Sequence, residues 1–219
     1  MRSDSAEVHP NARTERTPDP LRPYYQAMIQ LKGSIEECLE KGRVIPCLTL
    51  LYSGIDVLAS MERQPHEGTQ HAFVRWVETY MLPNNLLRFS ALDLFAARCG
   101  IIHAYSAESD LSRKGRARKI VYAWGTASAD ALQQAGHALG RSEITVHVRE
   151  LIDGFGIAII KYIDDVADNP ILHQRFFEST RHWLVGVDSS TVTEFLAVRK
   201  SASELANSSD QSEDGSSLS

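Results

Sequence analysis

The chain has 219 residues, 43% of them hydrophobic, with a formal net charge of −5 and a pI near 5.9. That length suits one sizeable core and does not demand a second domain. The acidic balance excludes a protein that coats nucleic acid through bulk charge, and leaves room only for a local basic patch.

Residues 1–20 mix Pro, Ser, Thr and charges with almost no large apolar side chain, so this segment is expected to be disordered. It lacks an apolar leader core, and Pro46, Gly54 and Asp56 interrupt the most apolar later stretch. The chain therefore reads as cytoplasmic, with no membrane contact.

From Tyr24 to Leu39, the apolar residues Tyr24, Ala27, Met28, Leu31, Ile35 and Leu39 follow helical spacing, and Lys41-Gly42 supplies a stop. Val44–Met61 repeats the pattern with Pro46 in its first turn. There Ile45, Leu48, Leu51, Tyr52, Ile55, Leu58 and Ala59 form a stripe wide enough for a central helix. Thr69 to Leu82 puts Phe73, Val77, Tyr80 and Met81 on one side and stops at Pro83. The next helix announces its own start. Phe89, Ser90 and Asp93 fit the N′, N-cap and N3 positions of a capping box, with Leu94 placed to staple onto Phe89. Four consecutive helices joined by short turns predict an antiparallel four-helix bundle over residues 21–118.

The pattern then changes. "KIVYAW" (Lys119 to Trp124) and "ITVHV" (Ile144 to Val148) are β-branched and aromatic, predicting two short strands around a helix near Ala127 to Leu139. Leu151 to Val166 is a further amphipathic helix, followed by a shorter one from Pro170 to His182 and a strand at Trp183 to Val187. Residues 119–200 are thus expected to form a small α+β extension of the same globular unit, in a fold that is mainly α. Residues 201–219, Ser-rich and acidic, read as a disordered tail. Trp76, Trp124 and Trp183 are expected as core anchors, and His147 on the outer, exposed face of the second strand. Cys38, Cys47 and Cys99 are odd in number and scattered through apolar helices, which suits reduced thiols.

The chemistry concentrates in "LDLFAARCGIIHAYS", Leu92 to Ser106, where an apolar helix carries Arg98, His103 and Tyr105. Polar groups on such a helix are costly unless each finds a partner. At about 100° per residue, Arg98 and Tyr105 fall within roughly 20° of each other, while His103 is displaced by about 140°. His103 joins them only if the helix loosens near its end, and Gly100 allows that. A purely structural account has Arg98 paired with Asp56, His103 capping the helix C-terminus and Tyr105 snorkelling. Cys99 and His103 make an i, i+4 pair, but Cys38 and Cys47 add no zinc-like spacing, so neither a metal nor a cofactor is expected. The chain has no Gly-rich phosphate loop and no serine nucleophile elbow, which disfavours familiar nucleotide hydrolases and esterases.

"RCGIIHAY" resembles the R-x4-6-H motif of the HEPN superfamily, in the R-x4-H-x-Y form that many HEPN toxins of toxin–antitoxin pairs carry. The stretches "LYSGIDVLASM", "FVRWVETYM" and "LDLFAARCGIIHAYS" are also similar to a HEPN-type helical family, over about Tyr24 to Lys119. The resemblance implies a helical homodimer in which two copies of the motif face one cleft and cut RNA without a metal. His103 would be the acid/base, Arg98 the phosphate clamp, and Tyr105 a group that orients phosphate or stacks on a base. Asp56 would orient Arg98 from behind. In the resembling toxins this tyrosine is also where an antitoxin can attach a nucleotide, so an antitoxin protein is an implied partner.

Cys99 stands where these ribonucleases commonly carry Asn or Asp. The alternative is therefore a non-cleaving module that binds RNA, a nucleotide or a partner protein. Just beyond the motif, "LSRKGRARKI" supplies Arg113, Lys114, Arg116, Arg118 and Lys119, either an RNA-backbone rim or a solvated loop face.

Overall fold

The computed structural model describes residues 21–83 and 87–180. Helix α1 (Arg22–Glu40) carries Pro23 in its first turn, where the missing N–H has no intrahelical partner to lose. Helix α2 (Val44–Met61) buries nine residues. It packs against α1, α3 (Thr69–Trp76), α4 (Ala91–Ala104), α7 (Val148–Asp168) and α8 (Pro170–Thr180). By length and apolarity α2 could cross a membrane, but half of it is buried inside this fold by those neighbours. Ile45, part of the expected stripe, is 49% exposed, because it precedes Cys47 and Leu48, the first residues of α2 to reach the core.

The single helix expected over Thr69 to Leu82 is two kinds of helix. Helix α3 passes into a π-helical turn, Val77–Met81, closed by the Leu82 N–H donating to the Val77 carbonyl at 3.0 Å. The wider turn places Val77, Tyr80 and Met81 together in the core against α7, with the Tyr80 ring against those of Trp76 and Tyr162.

Strands β1 (Ile120–Ala123) and β2 (Ile144–His147) pair in parallel, with Ile120 opposite Ile144 and Ala123 opposite His147. Parallel pairing needs a crossover, and α6 (Ala129–Ala138) is it. The Tyr122 hydroxyl lies 2.6 Å from that of Tyr52, which ties the sheet to α2. Val148, expected to end the strand, begins α7 instead, three residues ahead of the predicted Leu151. His147 is the N-cap of that helix: its Nδ1 accepts the Arg149 N–H at 3.2 Å, and its Nε2 lies 3.3 Å from the Gly125 carbonyl oxygen. It is the half-buried last residue of β2 and the cap of α7, and not a freely exposed strand residue. Trp124 also departs from expectation, 49% exposed just past the end of β1, where no strand pattern turns it inward. Trp76 is fully buried as expected.

Helix α7 buries ten residues, so α2 and α7 share the centre of the core. Among the described residues the fold is mainly helical, eight α-helices with one small two-stranded parallel sheet. The expected terminal segments, Trp183 and the Trp183–Val187 strand lie outside the described residues, and the helix expected to reach His182 is described to Thr180.

Candidate functional site

Helix α4 begins as its sequence dictates. Ser90 Oγ accepts the Asp93 N–H at 3.1 Å, and Asp93 Oδ2 accepts the Ser90 N–H at 2.9 Å. Phe89 and Leu94 beside them are both buried. Asp93 has a second task. Its Oδ1 accepts the Arg118 N–H at 2.6 Å, and its Oδ2 lies 2.8 Å from Arg118 Nη2. Burial, the largest single influence, pushes the Asp93 carboxyl up, yet the combined hydrogen bonds from Ser90 and Arg118 hold it below the usual carboxylate range.

At the other end of α4, Arg98 reaches across to α2. Its Nε donates to Asp56 Oδ2 at 2.6 Å and its Nη2 lies 2.5 Å from the same oxygen. Both side chains are mostly covered, 16% and 19% exposed. Asp56 Oδ1 is buried without a hydrogen-bond partner. Burial therefore pushes the Asp56 carboxyl up, with Arg98 pulling the other way. Burial works against the Arg98 charge as well, but its contacts with Asp56 outweigh that and the guanidinium is held more firmly protonated.

The remaining nitrogen, Nη1, faces His103 Nε2 at 3.3 Å and Cys99 Sγ at 3.9 Å, while the guanidinium carbon lies 5.9 Å from the centre of the Phe95 ring. A guanidinium has only donors, so this contact is a hydrogen bond when Nε2 is the acceptor and the ring proton sits on Nδ1. That is the form in which Nε2 can take a proton. His103 itself is exposed, and Asp56 fixes Arg98 from the buried side.

Tyr105 lies beyond the helical turns that the 100° spacing from Arg98 assumes. Helix α4 ends at Ala104, and Tyr105 follows in a left-handed conformation (φ 46°, ψ 35°), 68% exposed. The closing turn is wide: the Ser106 N–H donates to the Gly100 carbonyl at 3.0 Å. Gly100 makes this possible, since a Cβ there would stand 2.4 Å from the Ser106 carbonyl oxygen and 3.1 Å from that of Glu108. The sequence marks Gly100 as a weak point of the helix. What the fold requires of it is room for the chain to turn back.

So the fold brings Arg98, Asp56, His103 and Cys99 together and sends Tyr105 into solvent. The basic segment is divided too. Helix α5 (Asp110–Arg113) pairs Arg113 with Asp110, Arg118 is held by Asp93, and Lys119 lies 3.4 Å from Glu108. Lys114 and Arg116 are exposed and form no ion pair with any described acid. A cleft of about 570 Å³ is lined by Arg113, Arg116, Arg118 and Lys119 of this segment, and by Arg141. None of Arg98, His103, Tyr105 or Lys114 lines it. Arg141 escaped the sequence reading because it stands alone in charge, although it shares with Arg116 the signature of an arginine directly after a glycine at a helix end.

Among the described residues no group of three or more His, Cys, Asp or Glu side chains is arranged to hold a metal. No protein-family model, no curated protein and no solved structure matches the chain.

Proposed function

We propose that the chain is a metal-independent RNA endonuclease of HEPN-like design, in a toxin or defence setting in the cytoplasm. It would act as a homodimer whose two-fold cleft presents two Arg98–His103 pairs to one phosphodiester. The observation that carries this reading is the 3.3 Å approach of Arg98 Nη1 to His103 Nε2, made by an arginine already fixed by Asp56. Helices α1 to α4, with the motif on the last, would be the four-helix bundle of that design.

The chemistry follows from the groups. His103 Nε2 takes the proton of a ribose 2′-hydroxyl, and the 2′-oxygen forms a bond to the adjacent phosphorus. The bond from phosphorus to the 5′-oxygen breaks, and that oxygen takes a proton from His103 of the second copy. A 2′,3′-cyclic phosphate and a 5′-hydroxyl remain. One imidazole is base or acid at a given moment, which is why two copies suit the reaction. Arg98 Nη1 donates to a non-bridging oxygen as negative charge builds there. Tyr105, exposed at the cap, is accessible to stack on a base or to receive a nucleotide from an antitoxin-type partner.

One observation favours a second reading, a module that binds RNA, a nucleotide or a partner protein without cleaving. Cys99 Sγ sits 3.9 Å from the same Nη1 that would serve the phosphate. Incubation with a mixed RNA pool in EDTA separates the two, beside His103→Ala and Arg98→Met variants checked for folding and dimer formation. Cyclic-phosphate ends made by the wild type and lost in both variants support the nuclease. Intact RNA that remains bound supports the second reading.

A further inference from the structure

Arg116 and Arg141 occupy matching positions. After α5, the Arg116 N–H donates to the Leu111 carbonyl at 2.9 Å and the Gly115 N–H to the Ser112 carbonyl at 3.0 Å, with Gly115 at φ +66°. After α6, the Arg141 N–H donates to the Gly136 carbonyl at 2.9 Å and the Gly140 N–H to the His137 carbonyl at 2.9 Å, with Gly140 at φ +70°. Both are Schellman turns, in which the glycine supplies the left-handed residue and the next residue is held in a fixed direction. Both Gly-Arg pairs line the same cleft of about 570 Å³.

Charge in that cleft runs against the whole chain. Three acids line it, Asp93, Glu108 and Glu143. Asp93 is consumed by Arg118 and the helix cap, and Glu108 faces Lys119. Arg116 and Arg141 meet no described acid within ion-pair distance, so their five-donor forks remain available at two rigid points. A cleft focuses such charge, and guanidinium forks match phosphate oxygens in two-pronged geometry.

We propose that this cleft binds the phosphodiester backbone of single-stranded RNA, with Arg116 and Arg141 as its phosphate clamps. It deepens the nuclease reading and rests on it for the choice of RNA. The cleft is separate from the Arg98–His103 pair. It is reached from it within a few residues, since Glu108 both lines the cleft and lies against Gly100.

The test is fluorescence anisotropy of a labelled 12-nucleotide RNA in EDTA over a salt series. It compares wild type, Arg116→Glu/Arg141→Glu, and a control pair of equal charge change, Arg22→Glu/Arg63→Glu, all checked by circular dichroism. The cleft pair should weaken binding by about tenfold or more and reduce the salt slope by about 1.4, about 0.7 for each lost phosphate contact on a single strand. The control pair should weaken it less than about threefold, the share that net charge alone supplies. Equal loss in both pairs overturns the proposal, as does no loss in either. Inorganic pyrophosphate binding more tightly than the RNA overturns it in favour of a small-phosphate site. A wild type that binds through Arg116 and Arg141 but never cleaves leaves this inference standing and removes the nuclease reading alone.

Discussion

Two arginines in this molecule reach carboxylates across helices, and they end in different states. Arg75 on α3 sends Nε and Nη2 to the two oxygens of Glu67 at 3.0 Å each, Nη1 to Glu62 Oε1, and Nη2 also to the Glu62 carbonyl at 3.2 Å. Every nitrogen of that fork has an acid or a carbonyl. Arg98 gives Nε and Nη2 to a single oxygen of Asp56, and its Nη1 has only an imidazole and a thiol in front of it. Neither burial nor the presence of a salt bridge separates a structural arginine from a candidate clamp here. The count of donors left over does.

The largest effect expected from this contrast is on stability at Arg75. Arg75→Met strands Glu62, 8% exposed and with Oε2 already lacking a partner, and should cost about 3–5 kcal/mol in urea unfolding. Cleavage per folded molecule should stay unchanged. Arg98→Met also strands a carboxylate with one orphaned oxygen, but its side chain is 19% exposed against 11% for Glu62, so a smaller loss of about 1–3 kcal/mol is expected. It should abolish cleavage altogether. If the two variants lose activity alike when folded fractions are equalised, the distinction between the arginines fails.

Gly100→Ala should come next. Its Cβ has to displace backbone at Ser106, which is expected to cost about 1–3 kcal/mol and to move His103 away from Arg98. Thermal melts and the cleavage assay read the two consequences separately. His103→Ala, at an exposed position, should shift stability by less than about 0.5 kcal/mol while cutting the rate at least about 10²-fold.

The smallest effect concerns pH, and its sign is set by Asp93. Its carboxyl is held below the usual range, so its stabilisation is present above the unfolded pKa of about 3.9 and is lost as pH falls through the folded value. Asp93→Asn should therefore destabilise the protein most near neutral pH, with the gap to wild type closing below about pH 4. Asp56 and Glu62 run the other way. Burial raises both, so what they contribute is present at low pH and fades as pH rises through their folded values. Melting profiles of Asp93→Asn against wild type from pH 3 to 7 check the direction; a gap that widens on acidification would reverse it.

Much of the candidate site could be read in one dimension. The Ser90 and Asp93 capping box and the loosened end of α4 follow from local chemistry, since a cap needs a hydroxyl three residues before a carboxylate. The Arg98–Asp56 pair, 42 residues apart, follows from the need of a buried arginine for an acid and the one acid in the middle of the most apolar helix. What could not be read was direction. Tyr105 was placed on the Arg98 face by helical arithmetic, which holds only while the helix continues, and here it stops one residue earlier. Trp124 was expected in the core on composition, but a residue just past a four-residue strand is governed by the turn that follows it. His147 was read from strand alternation, yet the carbonyl of Gly125 and the start of α7 decide its position.

The sequence by itself determined the order and kind of most elements from Leu21 to Thr180, because periodicity, caps and Gly stops act within a few residues of chain, but not the π-helical turn at Val77–Met81 or the short helix α5. It also placed Arg98 and His103 on one helix. Only the tertiary structure decided which donors of Arg98 stay uncommitted, that α7 shares the core with α2, and that Arg141 joins Arg116 on one cleft. These are questions of which surfaces meet across long stretches of chain. They depend on how apolar faces close over one another in space, and no local pattern encodes that.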